Sequence, residues 1–288
     1  MKIATASYPL DVFQTWADYE AKLTKWVSEA AGQGADLLVF PEYGAMELAV
    51  AADLEASLHA VSDRLPQADA LHVKLAAEYK VHILAASAPY VPAAGQRPVN
   101  RARLFAPTGQ VGVQDKQIMT RFEEEVWDVV PGNALQLFDT ALGKMGILIC
   151  YDSEFPLLAR ALSDADLILI PSVTEALSGY WRVRIGAMAR ALETQCVTVM
   201  SSVVGPADWS PAVDISVGAG GIYGPPDKGF PDTGVLAVGE INQPGWTYAQ
   251  VDLQTIAHAR TDGVVLNRRN WTRQDSRSDA ALVCKLRE

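Results

Sequence analysis

Short, unbroken apolar runs recur along the chain, and they constrain its fold more than any other feature. Runs of this length and composition are typical of strands buried on both faces, as in sheets that helices cover. Between them, apolar side chains recur at helical spacing over 14–31, and further helices are predicted over 63–80, 155–162 and 181–193. This order predicts an α/β fold. The runs are DLLVF at 36–40, HILAAS at 82–87, KMGILIC at 144–150 and DLILIP at 166–171.

A hairpin is predicted in the middle of this alternation. The turn sequence PTGQ at 107–110 lies between two strand-like runs, RARLFA before it and VGVQDK after it. A hairpin adds antiparallel pairing to a sheet built from crossovers. The sequence therefore predicts one domain with a mixed sheet covered by helices. Other strands are predicted at KIATASY, ALQLFD, CVTVMSS, VLAVGE and WTYAQVDL.

Composition and charge argue against several classes of protein. The formal net charge is −10 over 288 residues, which is the wrong sign for a groove that binds a nucleic acid. No apolar run approaches the ~20 residues that a membrane helix needs, and the N-terminal run is too brief for a signal-peptide core. Three scattered cysteines (Cys150, Cys196 and Cys284) fit neither a disulfide framework nor a CxxC metal site. We therefore expect a cytoplasmic protein without metal or cofactor.

Three predicted strands end at residues that can take part in catalysis. Glu42 follows DLLVF, Lys116 ends VGVQDK and Cys150 ends KMGILIC. In α/β sheets, functional groups gather at the carboxyl ends of strands. Taken singly, Glu42 and Lys116 could be solvated loop residues, and Cys150 could be a small core residue. A thiol with a pKa of about 8.5 needs a base to take its proton or a cation to lower its pKa.

Histidine, the usual base of cysteine hydrolases, is a poor candidate in this chain. None of its histidines directly follows a predicted strand, so we interpret them as surface or core residues. A glutamate base and a lysine cation would replace histidine. The four histidines are His59, His72, His82 and His258.

In order and local context, three motifs resemble the signature of the nitrilase superfamily, the carbon–nitrogen hydrolases. They are FPE at 40–42, DK at 115–116 and ICYD at 149–152. The PG pair at 131–132 and RAxE at 190–193 support the resemblance, which extends from the first strand to about residue 253.

The resemblance implies a four-layer αββα sandwich of two mixed sheets flanked by helices. It implies a single domain over 1–288, with a core over about 1–253 and a C-terminal extension over about 254–288. It also implies a Glu–Lys–Cys triad. Glu42 would be the general base, Lys116 the cation near the developing oxyanion, and Cys150 the nucleophile that forms a thioester.

The family also places a second acid after the lysine, and both Glu123 and Glu124 have suitable spacing. Such an acid would orient Lys116 or a substrate amine. We favour Glu124 for this catalytic position and assign Glu123 to substrate binding.

Specificity is expected to come from loops at 43–48, 172–184 and 208–221. Tyr43, Tyr151 and Thr174 are predicted to contact the substrate, although the tyrosines could equally serve packing. Arg182 and Arg184 could clamp a substrate carboxylate or serve the helix surface or a subunit contact.

The predicted substrate is a small amide, and a nitrile or an N-carbamoyl amine is the alternative. A binding protein without turnover is less favoured, because all three triad residues are present. A homodimer is expected, as family members commonly pair.

Overall fold

The computed structural model describes residues 1–49, 54–210 and 213–277, together with 284 and 286. The strands are β1 Lys2–Tyr8, β2 Leu37–Val39, β3 His82–Tyr90, β4 Val99–Phe105, β5 Val111–Asp115, β6 Phe138–Thr140, β7 Gly143–Ile147, β8 Leu167–Ser172, β9 Val197–Val203, β10 Gly205–Pro206, β11 Ile215–Ser216, β12 Gly221–Tyr223, β13 Val235–Val238 and β14 Gly245–Gln250. The α-helices are α1 Trp16–Gly32, α2 Leu54–Tyr79, α3 Arg121–Glu125, α4 Pro156–Ala161, α5 Leu177–Thr194, α6 Leu253–Asp262, α7 Asn267–Asn270 and α8 Thr272–Asp275, and two 3-10 helices cover Gly44–Leu48 and Cys150–Glu154.

The predicted α/β class is confirmed: a large mixed sheet is flanked by helices. Its central strand order is β5-β4-β3-β2-β1-β9-β8-β7-β6, and β12, β13 and β14 join beside this path. The predicted hairpin is also confirmed, since β4 and β5 pair antiparallel across the PTGQ turn.

The sheet has two halves that were expected to be separate sheets. They are joined where β1 pairs with β9, but only through Ser7 with Ser202 and Tyr8 with Val203. On one side of β1, Ile3 to Thr5 pair with β2 and the last two residues pair with β9, whereas β14 pairs antiparallel along the other side. The strands thus form one hydrogen-bonded, twelve-stranded sheet.

Two buried clusters show how the layers stack. Successive residues of a strand point to opposite faces, and in β1 Ala4 packs with Leu23 of α1, whereas Ile3 belongs to the other cluster. That second cluster also contains Leu169 of β8 and Ala187 of α5. The order is therefore helix, half-sheet, half-sheet, helix.

Helix α1 forms where the sequence predicts it, because local signals and tertiary packing agree. Thr15 Oγ1 accepts a hydrogen bond from the Asp18 N–H, and an Asp18 carboxylate oxygen accepts one from the Thr15 N–H at 3.0 Å. This capping box satisfies N–H groups that a helix start leaves free. The buried face of the helix comprises Tyr19, Leu23, Val27 and Ala30.

Helix α2 is longer than the predicted helix over 63–80, since it begins at Leu54 and continues through Pro66. A proline inside a helix removes one backbone hydrogen bond and disfavours helical geometry before it. Tertiary burial outweighs this local cost, because one face of α2 packs into the core. The buried side chains on that face include Leu58, Val61, Leu65, Ala68, Leu71 and Leu75.

Strand direction brings several strand ends to one edge. β1, β2 and β3 run parallel, and so do β1, β9, β8 and β7. β4 is antiparallel to both β3 and β5, so β5 runs the same way as β3. The carboxyl ends of β2, β5, β7 and β8 therefore lie at the same edge, where the start of β4 also lies. No helix in the described part of the chain is long and apolar enough to cross a bilayer.

Candidate active site

Glu42 lies buried just beyond the end of β2, where Pro41 cannot donate to a sheet ladder. Its Oε1 accepts hydrogen bonds from Lys116 Nζ at 2.7 Å and from Asn100 Nδ2 at 3.0 Å. Its Oε2 accepts one from the backbone N–H of Val173 at 3.1 Å. The carboxyl group is thus held from the ends of three other strands.

Lys116 follows β5 and is only 1% exposed. Its backbone N–H donates to the Asn100 carbonyl at 2.9 Å, and its own carbonyl accepts from the Gly132 N–H at 3.2 Å. Its Nζ donates to Glu42 and, at 2.6 Å, to Glu123 Oε2. An ammonium group has three N–H donors, so one remains for another acceptor.

Cys150 opens a 3-10 helix beyond β7 and has a left-handed backbone, with φ of 49°. Such a conformation is uncommon for a residue other than glycine and is found at functional sites. The thiol donates to the Val173 carbonyl at 3.6 Å, and the Glu42 carboxylate accepts from the N–H of the same Val173 at 3.1 Å. The N–H of Tyr151 lies in the first turn of this helix, where N–H groups have no intrahelical acceptor.

The charges and the burial around Cys150 favour activation of the thiol by a base rather than by a lowered thiol pKa. Burial, followed by the charge of Glu42, raises the pKa of Cys150 well above its ordinary value, against the opposing effect of Lys116. Burial also raises the pKa of Glu42, although Lys116 acts to lower it. The thiol therefore keeps its proton at rest, beside a carboxylate with enhanced basicity. Of the two ways to activate Cys150, a proton-accepting Glu42 is the one that this environment supports.

Lys116 remains a cation in spite of its burial. Burial acts to lower its pKa, but the charges of Glu42 and Glu123 outweigh this effect and raise it. Burial likewise acts to raise the pKa of Glu123, but the charge of Lys116 and several hydrogen bonds lower it. The two carboxyl groups beside Lys116 thus have opposite pKa shifts, and Glu123 is the firmly ionised one.

Of the two candidate acids it is Glu123 that contacts Lys116, whereas the sequence favoured Glu124 for that position. Glu123 is the third residue of α3 and forms a capping box with Thr120. This geometry turns its side chain inward, where it accepts from Lys116 Nζ and, at 2.9 Å, from the Tyr43 hydroxyl. Glu124 is exposed on the next helical position. Adjacent helical residues face different directions, so only one of the two can reach Lys116.

A cavity of about 850 Å³ lies at this edge of the sheet, and Glu42, Lys116 and Cys150 line it together. Its size is in the range of pockets for small molecules. Polar and apolar side chains both contribute to its wall. The apolar contributors include Ile118, Met119, Phe122, Trp127, Val213 and Ile215.

The other predicted site residues also line this cavity. Tyr43 is buried against Trp127 with ring centroids 4.9 Å apart, so it contributes both to packing and to the Glu123 network. Tyr151 packs edge-on against Phe155 at 4.9 Å. The Thr174 hydroxyl donates to a loop carbonyl, that of Val217, at 2.7 Å. Exposed Glu124 lies at the cavity as well.

The two arginines proposed as a carboxylate clamp have other partners. Arg182 lines the cavity, but it forms an ion pair with Glu154 at 3.2 Å. Arg184 stacks over the ring of Trp181 at 4.8 Å and donates to the Tyr180 hydroxyl at 3.3 Å. This arrangement agrees with the alternative interpretation that they serve the surface of α5.

Two buried polar residues of the site, Asn100 and Asp152, have no role that the sequence indicates. Nothing in the local sequence distinguishes Asn100, which directly precedes the predicted strand RARLFA. Asp152 lay within the ICYD motif, yet its function emerges only from the fold. It accepts backbone hydrogen bonds from Gln117, Ile118 and Ile149 and so ties the loop after Lys116 to the loop before Cys150. Burial raises the pKa of Asp152 to about 7.

Within the described residues, no group of three or more His, Cys, Asp or Glu side chains is arranged to hold a metal ion. The titratable groups of the cavity instead form a chain of hydrogen bonds from Tyr43 through Glu123 and Lys116 to Glu42, and Cys150 lines the same cavity. They could bind a small uncharged group, transfer a proton and stabilise a developing negative charge.

Comparison with known proteins identifies the family. Residues 2–261 match the sequence model of the family described as carbon-nitrogen hydrolase. The chain belongs to this family. It is 30% identical over 270 residues to "Probable hydrolase YhcX" of Bacillus subtilis, covering 92% of this chain and 52% of that protein. The chain thus spans about half the length of that relative.

Two further relatives carry amidase names. "Deaminated glutathione amidase" of Synechocystis is 30% identical over 200 residues, which are 61% of this chain and 68% of the relative. "Omega-amidase NIT2" of Danio rerio is 25% identical over 276 residues, which are 90% and 91% of the two chains.

Solved structures of nitrilase superfamily members share the fold. The carbon-nitrogen hydrolase from Helicobacter pylori superposes with a TM-score of 0.75 at 18% identity, covering 90% of this chain and 92% of that one. Saccharomyces cerevisiae Nit3, a member of branch 10 of the nitrilase superfamily, gives 0.71 at 19% identity, with coverages of 90% and 93%. A mutant amidase from Nesterenkonia sp., with acrylamide added at its active site cysteine, gives 0.70 at 20%, with coverages of 94% and 99%.

Proposed function

We propose that this carbon–nitrogen hydrolase is an amidase that cleaves a small amide through a thioester on Cys150. The observation that carries the proposal is the meeting of three groups in one cavity: Glu42 bonds Lys116 at 2.7 Å, and the Glu42 carboxylate and the Cys150 thiol both bond the backbone of Val173. A thiol beside a buried carboxylate gives a nucleophile with its base, and the adjacent ammonium gives a cation for the oxyanion.

The first half of the reaction forms the thioester. Cys150 Sγ attacks the amide carbonyl carbon while its proton moves to Glu42 Oε2. The carbonyl oxygen gains negative charge, which the remaining N–H donor of Lys116 and the N–H of Tyr151 would stabilise. The C–N bond then breaks, and Glu42 returns the proton to the nitrogen that leaves as ammonia or an amine.

The second half releases the acid. A water molecule gives a proton to Glu42 and attacks the thioester carbon, so that a second tetrahedral adduct forms. Its C–S bond breaks and Glu42 returns the proton to the sulfur. Glu123 stays ionised and keeps Lys116 oriented throughout, which is the role that its lowered pKa supports.

The choice of an amide draws on two kinds of support. The relatives from Synechocystis and Danio rerio are named amidases, and the Nesterenkonia amidase is described with its adduct on a cysteine. A nitrile or an N-carbamoyl amine would meet the same thiol and base, so these remain the alternative substrates. The single domain over 1–288, the homodimer and the cytoplasmic location stay predictions.

The proposal is tested by ammonia release from a panel of aliphatic amides, nitriles and N-carbamoyl amino acids. We expect turnover of at least one amide, with a thioester trapped on Cys150 in rapid-quench mass spectrometry. Cys150→Ala should show no turnover, whereas Cys196→Ala, which changes a buried cysteine outside the cavity, should retain it. Equal turnover by Cys150→Ala and the unmodified protein would refute the mechanism.

A further inference from the structure

Asn100 contacts three of the groups that the proposed reaction uses. It lies fully buried at the start of β4, which reaches the active-site edge because β4 is antiparallel to its neighbours. Its Nδ2 donates to Glu42 Oε1 at 3.0 Å and to Glu123 Oε1 at 3.3 Å. Its backbone carbonyl accepts from the Lys116 N–H at 2.9 Å. One residue thus links both carboxyl groups and the ammonium-bearing strand end.

The orientation of the Asn100 amide follows from its neighbours. An ionised carboxylate only accepts hydrogen bonds, so the NH₂ side of the amide must face Glu42 and Glu123. Its Oδ1 is then left without a hydrogen-bond partner among the described residues. A buried unpaired acceptor is unfavourable for folding, and such exceptions need an explanation. Contact with the two carboxyl groups supplies one, because the NH₂ group serves both at once.

The hydrogen bonds of Glu42 are divided unequally between its two oxygens. Oε1 accepts from Lys116 and Asn100, whereas Oε2 accepts from the Val173 backbone at 3.1 Å. With Oε1 fully engaged, Oε2 is the oxygen with capacity to take the thiol proton. Loss of the Asn100 donor would free Oε1 and let the carboxyl group rotate.

We propose that Asn100 is a positioning residue, which holds Glu42 and Glu123 together so that Glu42 Oε2 faces the Cys150 thiol. This inference rests on the proposed function. Asn100 does this without adding charge, since its amide is neutral. The charged and titratable groups that face Glu42 are Lys116 from the end of β5, Glu123 from α3, Cys150 from its 3-10 helix and the adjacent Tyr43.

The effect of removing Asn100 follows from this arrangement. Without Asn100, Lys116 is the side chain that still donates hydrogen bonds to both Glu42 and Glu123. Without the amide donor, the charged form of Glu42 loses one hydrogen bond, and its pKa rises further. A base with a higher pKa is protonated over more of the acidic range, so activity should fail at a higher pH.

The test is the pH profile of kcat/KM for Asn100→Leu, which keeps a similar shape and lacks the donor. We expect its acid limb to move up by about one pH unit and kcat at neutral pH to fall by about tenfold or more. Asn100→Asp should shift the limb further, since it adds a third carboxyl group. The matched control is Gln114→Leu on β5, because that buried amide bonds only backbone groups. The control should keep the unmodified profile.

A second measurement separates this inference from the proposed function. The rate at which iodoacetamide alkylates Cys150, followed by mass spectrometry, needs no turnover, and its acid limb also reports ionised Glu42. If the unmodified protein hydrolyses no amide while Asn100→Leu still shifts this limb, the proposed function fails and the positioning role stands. If amides are hydrolysed and both profiles of Asn100→Leu superpose on those of the unmodified protein, the positioning role is overturned. Should Asn100→Leu not fold, Asn100→Ser, whose hydroxyl is too short to bridge both carboxyl groups, is judged by the same criteria.

Discussion

Two Glu–Lys pairs with buried carboxylates lie in the same half of this molecule, and their environments differ. Lys116 Nζ lies 2.7 Å from a Glu42 carboxylate oxygen beside the cavity. Lys22 Nζ, on α1, lies 2.9 Å from a carboxylate oxygen of Glu47, which belongs to the 3-10 helix Gly44–Leu48. Burial raises the pKa of both glutamates, and the lysine opposes this in each case. The salt bridge by itself therefore does not mark the reactive site.

The difference lies in the hydrogen bonds that each lysine has left over. Lys22 Nζ contacts the Pro9 carbonyl at 2.6 Å, Asp11 at 2.8 Å and Glu47, so all three of its donors are engaged. Glu47 in turn accepts from the Tyr8 hydroxyl at 2.6 Å. Lys116 uses two donors and lines a cavity beside a thiol. A fully satisfied pair stabilises the fold, and an incompletely satisfied pair can act on a substrate.

The largest contrast is expected between Lys116→Ala and Lys22→Ala. Loss of an oxyanion donor costs about 2.7–4 kcal/mol of barrier, so kcat of Lys116→Ala should fall by about 100- to 1000-fold. Lys22→Ala should keep kcat near that of the unmodified protein, because its partners lie away from the thiol. Both variants leave a buried carboxylate unpaired, so thermal unfolding should show a lower Tm for each. A large loss of kcat in Lys22→Ala would remove the distinction between the two pairs.

A smaller effect should separate Glu123→Gln from Glu124→Gln. The first change removes the charge that Lys116 contacts at 2.6 Å, and losing a hydrogen bond between charged groups should lower kcat by about tenfold or more. The second changes an exposed residue and serves as the matched control. Steady-state kinetics on the best amide of the panel measure both. Equal losses in the two variants would contradict the assignment of Glu123.

The smallest effect concerns the stability of the fold at mildly acidic pH, and it comes from a buried residue outside the cavity. His72 on α2 is buried with its ring stacked on Phe105, and burial lowers its pKa from 6.5 to about 3. Below about pH 6.5, His72 therefore binds a proton in the unfolded chain, whereas in the folded chain it stays neutral down to about pH 3. Stability should fall by about 1.4 kcal/mol between pH 7.5 and 5.5 from this group alone.

Urea unfolding of His72→Phe at both pH values checks this expectation. The variant should lose less stability on acidification than the unmodified protein, and Phe can keep the stacking on Phe105. His258→Phe, which makes the same change at an exposed histidine, is measured alongside as the control for the substitution itself. An identical acid response of His72→Phe and the unmodified protein would show that His72 is not the group responsible.

Local sequence patterns predicted much of the fold. The apolar runs became β2, β3, β7 and β8, and the PTGQ turn joins β4 to β5. The spacing of apolar residues over 14–31 located α1 well. The start of α2 was missed, because burial of one helix face against the sheet overrides the local effect of Pro66. No local pattern indicated that β1 would join the two half-sheets.

The candidate site shows the same division. Motif order was enough to nominate Glu42, Lys116 and Cys150, which are far apart in the chain. The choice between Glu123 and Glu124 depended on which side of α3 faces Lys116, and this is set by the capping box with Thr120. Asn100 could not be nominated, since its contacts are made by residues from other strands.

The sequence by itself determined the alternation of the main strands and helices, the family and the three reactive residue types, because these depend on local periodicity and on short motifs. Tertiary structure alone decided which strand ends share an edge, which glutamate contacts the lysine and which of two similar ion pairs is left with a free donor. These are properties of distance between segments remote in the chain. They arise only when strand direction and packing bring buried polar groups into hydrogen-bonding range. There, a donor that is engaged by one acceptor is no longer available to another.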